Sequence, residues 1–411
     1  MPNIYFGISG NVAKNIDSWV RIVGSPDVFS EKDENIHKYS SKLLGKYEVL
    51  SLGDALKRFP DADVWVTYRK AKNTARQLLK VLPPERIHFF EADLEYRKGC
   101  RYLGNFMSYR ANSFSPCCIT GRSPIVKTSG TIEDRLSQWQ TYTEQLVEDI
   151  RNGNQNDCEN CHLLTYGFWP KTVALDELNF GSNQPGDICN FRCTYCFCEK
   201  TFDRLKNNSE DYTTFQILKE LSVMEEFSDK QLTIQMANGE FCVNKNCDEM
   251  LDIFLNTNWK IVLLSNFSIY KEKLASLFES GRIIRAVVSL DSGTPETFRK
   301  IKRVDAFDKV VNNLRRYNFD KTELTIKYIF LKDINDNEID IDQFYDIAKE
   351  MRSIISFSGD ANEQDNRFTA NMRTLTLRVI EKAKKDGVRV VATSGYLHPA
   401  DKKFINDNYT S

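Results

Sequence analysis

The stretch CNFRCTYCFC, residues 189–198, holds four cysteines in ten positions. Cys189, Cys193 and Cys196 have the spacing C-x3-C-x2-C, and Cys198 follows two residues later. Thiols this close in sequence point to a metal. A closed structural zinc site takes four tetrahedral ligands, usually as two separated C-x2-C pairs, and Cys198 lies awkwardly near Cys196 for that geometry. Three thiolates on one loop suit a [4Fe–4S] cubane, where each holds one iron and the fourth iron stays open. An open iron can bind the amine and carboxylate of a ligand.

That chemistry needs reduced thiols, and the composition agrees. MPNIYFGISG has neither the basic start nor the long apolar run of a secretory signal, and no stretch approaches the ~18 uninterrupted apolar residues of a membrane span. The expectation is a soluble, cytoplasmic protein whose eleven cysteines are reduced or metal-bound. Lys+Arg 56 against Asp+Glu 57 leaves no basic field for nucleic acid.

The elements that must position the cluster follow from periodicity. Between 172 and 360, ALDELNF leads to the cysteine cluster, and QLTIQMA, KIVLLS, IRAVVSL, LTIKYIFL and SIISFS are near-continuous apolar or β-branched runs, as expected of buried parallel strands, separated by helical segments. Six strands with helices covering one side make a barrel or an open part of one. A helix over MRTLTLRVIEKAKKDG and a strand VRVVAT form an extension over 361–411. Residues 1–98 read as a small parallel α/β, Rossmann-like domain with strands at 4–7, 47–51, 64–68 and 86–90. Its first strand runs into GISG, where Gly7 and Gly10 make a tight turn that can also face a phosphate. Residues 99–171 have less regular periodicity, a capped helix from Thr131 to Gly153, and Cys100, Cys117, Cys118, Cys158 and Cys161.

With these motifs in order, residues 175–360 resemble the radical S-adenosylmethionine (SAM) superfamily. Tyr195 matches the aromatic the family places before the third cysteine, beside the adenine. ANGE (237–240) is similar to its G-G-E motif, with Asn238 for the first glycine, while Gly239 and Glu240 match; that segment contacts the methionine amino group. SNF (265–267), with Ser265 and Asn266, is similar to T-N-G, and SLDSGTPETFRKIKR (289–303) resembles the segment after the fourth strand. There, Ser289 and Asp291 would reach ribose hydroxyls or substrate. The resemblance implies a partial (β/α)6 barrel, a [4Fe–4S] cluster on Cys189, Cys193 and Cys196, bound SAM, and a low-potential electron donor such as flavodoxin or ferredoxin. It implies reductive cleavage of SAM to a 5′-deoxyadenosyl radical that removes a hydrogen atom from an unactivated C–H bond.

The remaining thiols resemble half of a SPASM or twitch auxiliary-cluster domain, placed before the barrel rather than after it. Cys100, Cys117, Cys158 and Cys161 would then hold a second iron–sulfur cluster, with Cys118 as alternate and structural zinc as the other reading. Beyond Glu240, Cys242 reads as a buried thiol or as a hydrogen-atom donor in an epimerisation, with Cys247 nearby. The run RKIKR (299–303) reads as a solvated helix face. The α/β character of residues 1–98 favours a small-molecule substrate, carbohydrate-type or nucleotide-linked, with oxidation or epimerisation as the outcome. A ribosomal peptide is the second substrate class, and a non-catalytic iron–sulfur sensor or carrier the alternative of another kind.

Overall fold

The computed structural model describes residues 2–7, 12–31, 47–67, 71–90, 93–110, 112–117, 124–180, 188–196, 212–237, 239–363, 366–392 and 397–410. They form two compact units, residues 1–105 with 140–174, and residues 106–139 with 175–411. The cysteine-rich stretch 99–171 is therefore not one body but is divided between the two.

In the first unit, β1 (Asn3–Phe6), β2 (Val28–Glu31), β3 (Val49–Ser51), β4 (Asp63–Val66) and β5 (Ile87–Phe89) pair in parallel in the order β3-β2-β1-β4-β5. Side chains alternate across a strand. Ile4, Phe6, Val28 and Val64 therefore face Ala55 of α2 (Leu52–Arg58) and Leu78 of α3 (Ala71–Leu78). Tyr5 and Phe29 face Trp19 of α1 (Val12–Val23) on the other side. Helices on both faces make this a doubly wound sheet. Gly7 closes β1 at φ +105°, a conformation open to glycine at little steric cost; Gly10 lies outside the described residues. A separate antiparallel ribbon joins β6 (Leu94–Gly99) to β10 (Thr165–Pro170).

The second unit is built on one ten-stranded sheet in the order β17-β16-β15-β14-β13-β12-β11-β7-β8-β9. Its members are β7 (Phe106–Arg110), β8 (Ser113–Ser115), β9 (Val126–Lys127), β11 (Glu177–Phe180), β12 (Thr233–Met236), β13 (Lys260–Leu264), β14 (Ile283–Ser289), β15 (Glu323–Phe330), β16 (Ile354–Gly359) and β17 (Val390–Ala392). Every pair from β17 to β7 is parallel, and β8 and β9 continue antiparallel. The six expected barrel strands are β11 to β16, side by side in sequence order. The extra strand β7 lies beside β11 and was not legible in the sequence.

Helix α4 (Ile132–Asn152) runs from the second unit into the first. Between the parallel strands come α5 (Thr214–Val223), α6 (Cys247–Asn256), α7 (Glu272–Glu279), α8 (Pro295–Lys302), α9 (Phe307–Arg316) and α10 (Glu338–Glu350), and α11 (Ala370–Asp386) precedes β17. Helix α8 shows why the sequence fixes these ends. The Thr294 hydroxyl caps it by accepting from Thr297 N, Pro295 occupies its first turn, and Arg303 ends it at φ +56°.

Candidate active site at the C-terminal ends of the parallel strands

The loop carrying Cys189, Cys193 and Cys196 is fastened at several points. Thr194 N donates to Ile301 O at 2.9 Å and Arg192 N to Lys302 O at 3.2 Å. The last carbonyls of a helix have no partner within it, so the loop satisfies two ends that α8 leaves open. Phe191 meets Phe298 of α8 edge-on, with ring centroids 5.8 Å apart. Asn190 Nδ2 donates to Ser268 Oγ at 2.8 Å, and its Oδ1 accepts from Asn266 Nδ2 at 2.8 Å. Glu240 N donates to Ile188 O at 2.8 Å. The ends of β12 and β13 and the C-terminus of α8 thus shape the backbone between the three thiols.

Burial pushes the Cys189 thiol up to about 11 and raises Cys193 as well, with Lys302 opposing the rise at Cys193. Thiolates are the metal-binding form, so loading must release protons. Among the described residues no three His, Cys, Asp or Glu side chains converge on a single ion. A cubane sets one iron behind each thiolate, so its ligands spread wider than those of a lone ion. Cys198 lies outside the described residues.

Glu240 caps the short turn Phe241–Val243 and is 1% exposed. Its Oε1 accepts from Ser265 Oγ at 2.8 Å and Cys242 N at 3.2 Å, and its Oε2 accepts from Asn266 N at 2.6 Å. Burial raises its carboxyl above the usual range, while the bonds from Asn266 and Ser265 oppose that rise. Ser265 in turn accepts from Phe267 N at 3.0 Å. The motif residues at the ends of β12 and β13 therefore form one hydrogen-bonded unit. Gly239 stands at φ +55°, and a Cβ there would lie 2.4 Å from Ile188 O, so glycine is required for this close approach. Asn238 lies outside the described residues.

Asp291 is engaged by the protein itself. It sits beyond β14 at φ +59° and is 0% exposed. Its Oδ1 accepts from Ile329 N at 2.8 Å, and its Oδ2 accepts from the Tyr195 hydroxyl at 2.6 Å and from Lys302 Nζ. Lys302 Nζ also donates to the Tyr195 oxygen and to Ser289 O, both at 2.6 Å. Asn335 holds the far side, donating to Asp291 O and Ile329 O at 2.8 Å and accepting from Leu331 N. Both carboxylate oxygens are thus engaged inside the protein, and Tyr195 is anchored by its hydroxyl as well as by packing on Ile301, Ile329 and Leu331. The reading of RKIKR as a solvated face is corrected at Lys302, which is 2% exposed. Thr297, Phe298, Ile301 and Lys302 form one buried stripe of α8, the helical spacing that would have revealed it.

Ser289 pairs in register with Lys327, and Lys327 with Ser356, so the three share one face of the sheet near its C-terminal edge. Burial holds the Lys327 ammonium below its ordinary value. A cavity of about 340 Å³ opens beside the cysteine loop, lined by Thr194, Phe330, Leu331, Gly359, Phe368 and Met372 among others. Cys242 is 5% exposed, and its S–H donates to Cys247, which is held below its ordinary value by that bond and by Lys271.

In the first unit, Cys100 and Cys158 pack on the same apolar cluster of Leu103, Leu146, Val147 and Ile150. Cys161 N donates to Cys158 O at 3.0 Å, and Gly99 pairs with Thr165, so Cys100 and the Cys158–Cys161 turn adjoin one end of the β6–β10 ribbon. Cys117 belongs to the second unit, and Cys118 lies outside the described residues.

Residues 183–345 match the family model described as Radical SAM superfamily. A GTP 3',8-cyclase of Clostridium perfringens (strain 13 / Type A) is 27% identical over 158 residues, 37% of this chain and 47% of that protein. A GTP 3',8-cyclase of Rhizobium etli is 31% identical over 165 residues, 37% of this chain and 44% of that protein. The chain spans about half the length of these curated relatives. SuiB of Streptococcus suis shares 12% identity at a TM-score of 0.41, over 66% of this chain and 56% of that one, a likeness too remote to carry weight.

Proposed function

We propose that this chain, which belongs to the radical SAM superfamily through residues 183–345, is an enzyme that removes a hydrogen atom from a small molecule, carbohydrate-type or nucleotide-linked, for oxidation or epimerisation. The observation that carries the reading is one loop presenting Cys189, Cys193 and Cys196, locked by hydrogen bonds to the Glu240–Ser265–Asn266 unit and to α8. Ligands of parallel α/β folds bind at this end of the strands.

The donor set fits a [4Fe–4S] cluster, because three thiols on one loop leave one iron for SAM. When bound, cluster and SAM supply one-electron reduction of a sulfonium and, through it, the power to break an unactivated C–H bond. The chain's own residues bind and orient. Cys189, Cys193 and Cys196 hold the irons. Glu240 fixes the β12 and β13 ends where the methionine part binds. The cavity beside Thr194 has the size to take a nucleoside. The α/β character of the first unit and the small-nucleotide chemistry named for the curated relatives support a small-molecule substrate. Cys100, Cys158 and Cys161 are proposed to hold a second metal centre, an iron–sulfur cluster or, on the other reading, zinc. Electrons would come from a flavodoxin- or ferredoxin-type donor.

Anaerobically reconstituted protein, reduced with dithionite and given SAM, is expected to release 5′-deoxyadenosine. An iron-loaded protein that binds SAM but releases none would replace this reading with that of an electron carrier or sensor.

A further inference from the structure

The buried charge pair beside the cysteine loop is not accounted for by binding SAM. A lysine ammonium and an aspartate carboxylate are costly to remove from water and persist only where geometry and further hydrogen bonds compensate. Here the compensation is complete and specific. Lys302 Nζ has three acceptors: Asp291 Oδ2, the Tyr195 oxygen and Ser289 O. The Asp291 carboxylate has three donors: Tyr195, Lys302 and Ile329 N. Of the groups held, Tyr195 lies on the iron-binding loop between Cys193 and Cys196. The backbone bonds from Arg192 N and Thr194 N end on the same turn of α8 that carries Lys302. One helical turn therefore grips the loop from both sides of Cys193, by main chain and by side chain.

We propose that Lys302 is a positioning residue for the iron-binding loop, holding Tyr195 through its hydroxyl and neutralising the buried Asp291 carboxylate beside the loop, so that the cluster can take up an electron. The inference rests on the radical SAM reading above. A cluster gains negative charge on reduction, and nearby charge and hydrogen bonding set its potential. Because the ammonium is paired with Asp291, its removal would leave an uncompensated buried carboxylate beside the loop, which opposes added negative charge. Tyr195 contributes the mechanical half of the device. Its hydroxyl accepts from Lys302 Nζ at 2.6 Å, and the ammonium lies 4.9 Å from its ring centroid.

Two variants separate the halves. In Lys302→Met, redox titration of the anaerobically loaded protein by electron paramagnetic resonance should show the cluster at least tenfold harder to reduce, about 59 mV more negative for one electron. Lys302→Arg should stay close to wild type, since it keeps the charge. In Tyr195→Phe, which strands no charge, amide hydrogen exchange of the metal-free protein should quicken at least tenfold over residues 194–196 and remain unchanged in α10. A loaded Lys302→Met with the wild-type potential, or a Tyr195→Phe loop that exchanges at the wild-type rate, overturns the proposal. If Lys302→Met takes up no iron, Lys302→Arg decides: normal loading supports the assignment and failed loading removes it. Wild-type protein without iron would instead sink the radical SAM reading itself.

Discussion

Glu240 and Asn266 stand 26 residues apart in sequence, and a 2.6 Å hydrogen bond from the Asn266 backbone N–H to Glu240 Oε2 joins them. Through it the ends of β12 and β13 are tied together, and Asn266 in turn bonds Asn190 beside the first cysteine. Replacing Glu240 by Ala strips acceptors from the Ser265 hydroxyl and from Asn266 N and Cys242 N. The expected loss is about 1.5–3 kcal/mol, or roughly ten- to a hundred-fold in SAM affinity. Calorimetry on iron-loaded protein checks it; an unchanged dissociation constant would remove Glu240 from the site.

Each of Cys189→Ala, Cys193→Ala and Cys196→Ala should abolish SAM cleavage, because a cubane short of one thiolate loses the iron that ligand held. Full 5′-deoxyadenosine production by any of the three would unseat that residue as a ligand.

Gly239→Ala forces a side chain into the left-handed region, at about 1–2 kcal/mol, and sets its Cβ 2.4 Å from Ile188 O. The carbonyl begins the cysteine loop and must shift. Reconstituted protein is expected to bind less iron at a lower melting temperature, and wild-type values for both would show that the approach relaxes without consequence.

Replacing both Cys158 and Cys161 by Ala should remove about half the iron if they serve a second four-iron cluster. SAM cleavage without substrate should survive, since the first cluster performs it alone, whereas product formation should stop. Elemental analysis showing stoichiometric zinc, lost in the double variant with iron unaffected, would establish a zinc site instead.

Asp342 of α10 accepts from Arg378 at 2.6 and 2.8 Å and from Lys382 at 2.6 Å, both on α11. The Arg378 hydrogen bonds, with help from Lys382, hold its carboxyl at about 2. A folded pKa below the unfolded value of about 3.9 means stabilisation that is present above pH ~4 and lost as pH falls through about 2. The groups are partly solvated, so Asp342→Asn should cost only about 0.5–1 kcal/mol at pH 7. Urea unfolding should show that difference at pH 7 and none near pH 2; a constant difference at both would assign the effect to packing.

The strands β11 to β16 were legible because their signals are local, and so was the proximity of the cysteine loop to Glu240 at their ends. Ligands on one loop have a fixed spacing, and strands buried on both faces read as near-continuous apolar or β-branched runs, as in ELTIKYIF of β15. Asp291 shows the limit. Whether its carboxylate faces a ligand or the protein depends on Tyr195 and Ile329, 96 and 38 residues away. The short β2 was missed because its polar end, Ser30 and Glu31, is buried only by neighbours the sequence does not name.

By itself the sequence determined the parallel α/β class and the order of the six central strands, and it placed three thiols on one loop beside them. These depend on near-neighbour spacing and on which residues must leave water. Tertiary structure alone decided that residues 106–139 join the large sheet while 140–174 join the small unit, that Lys302 is buried, and that Asn190 bridges to Asn266 and Ser268. Each of these is set by a partner distant in the chain, and the energy of such a contact resides in the pair rather than in either residue's type.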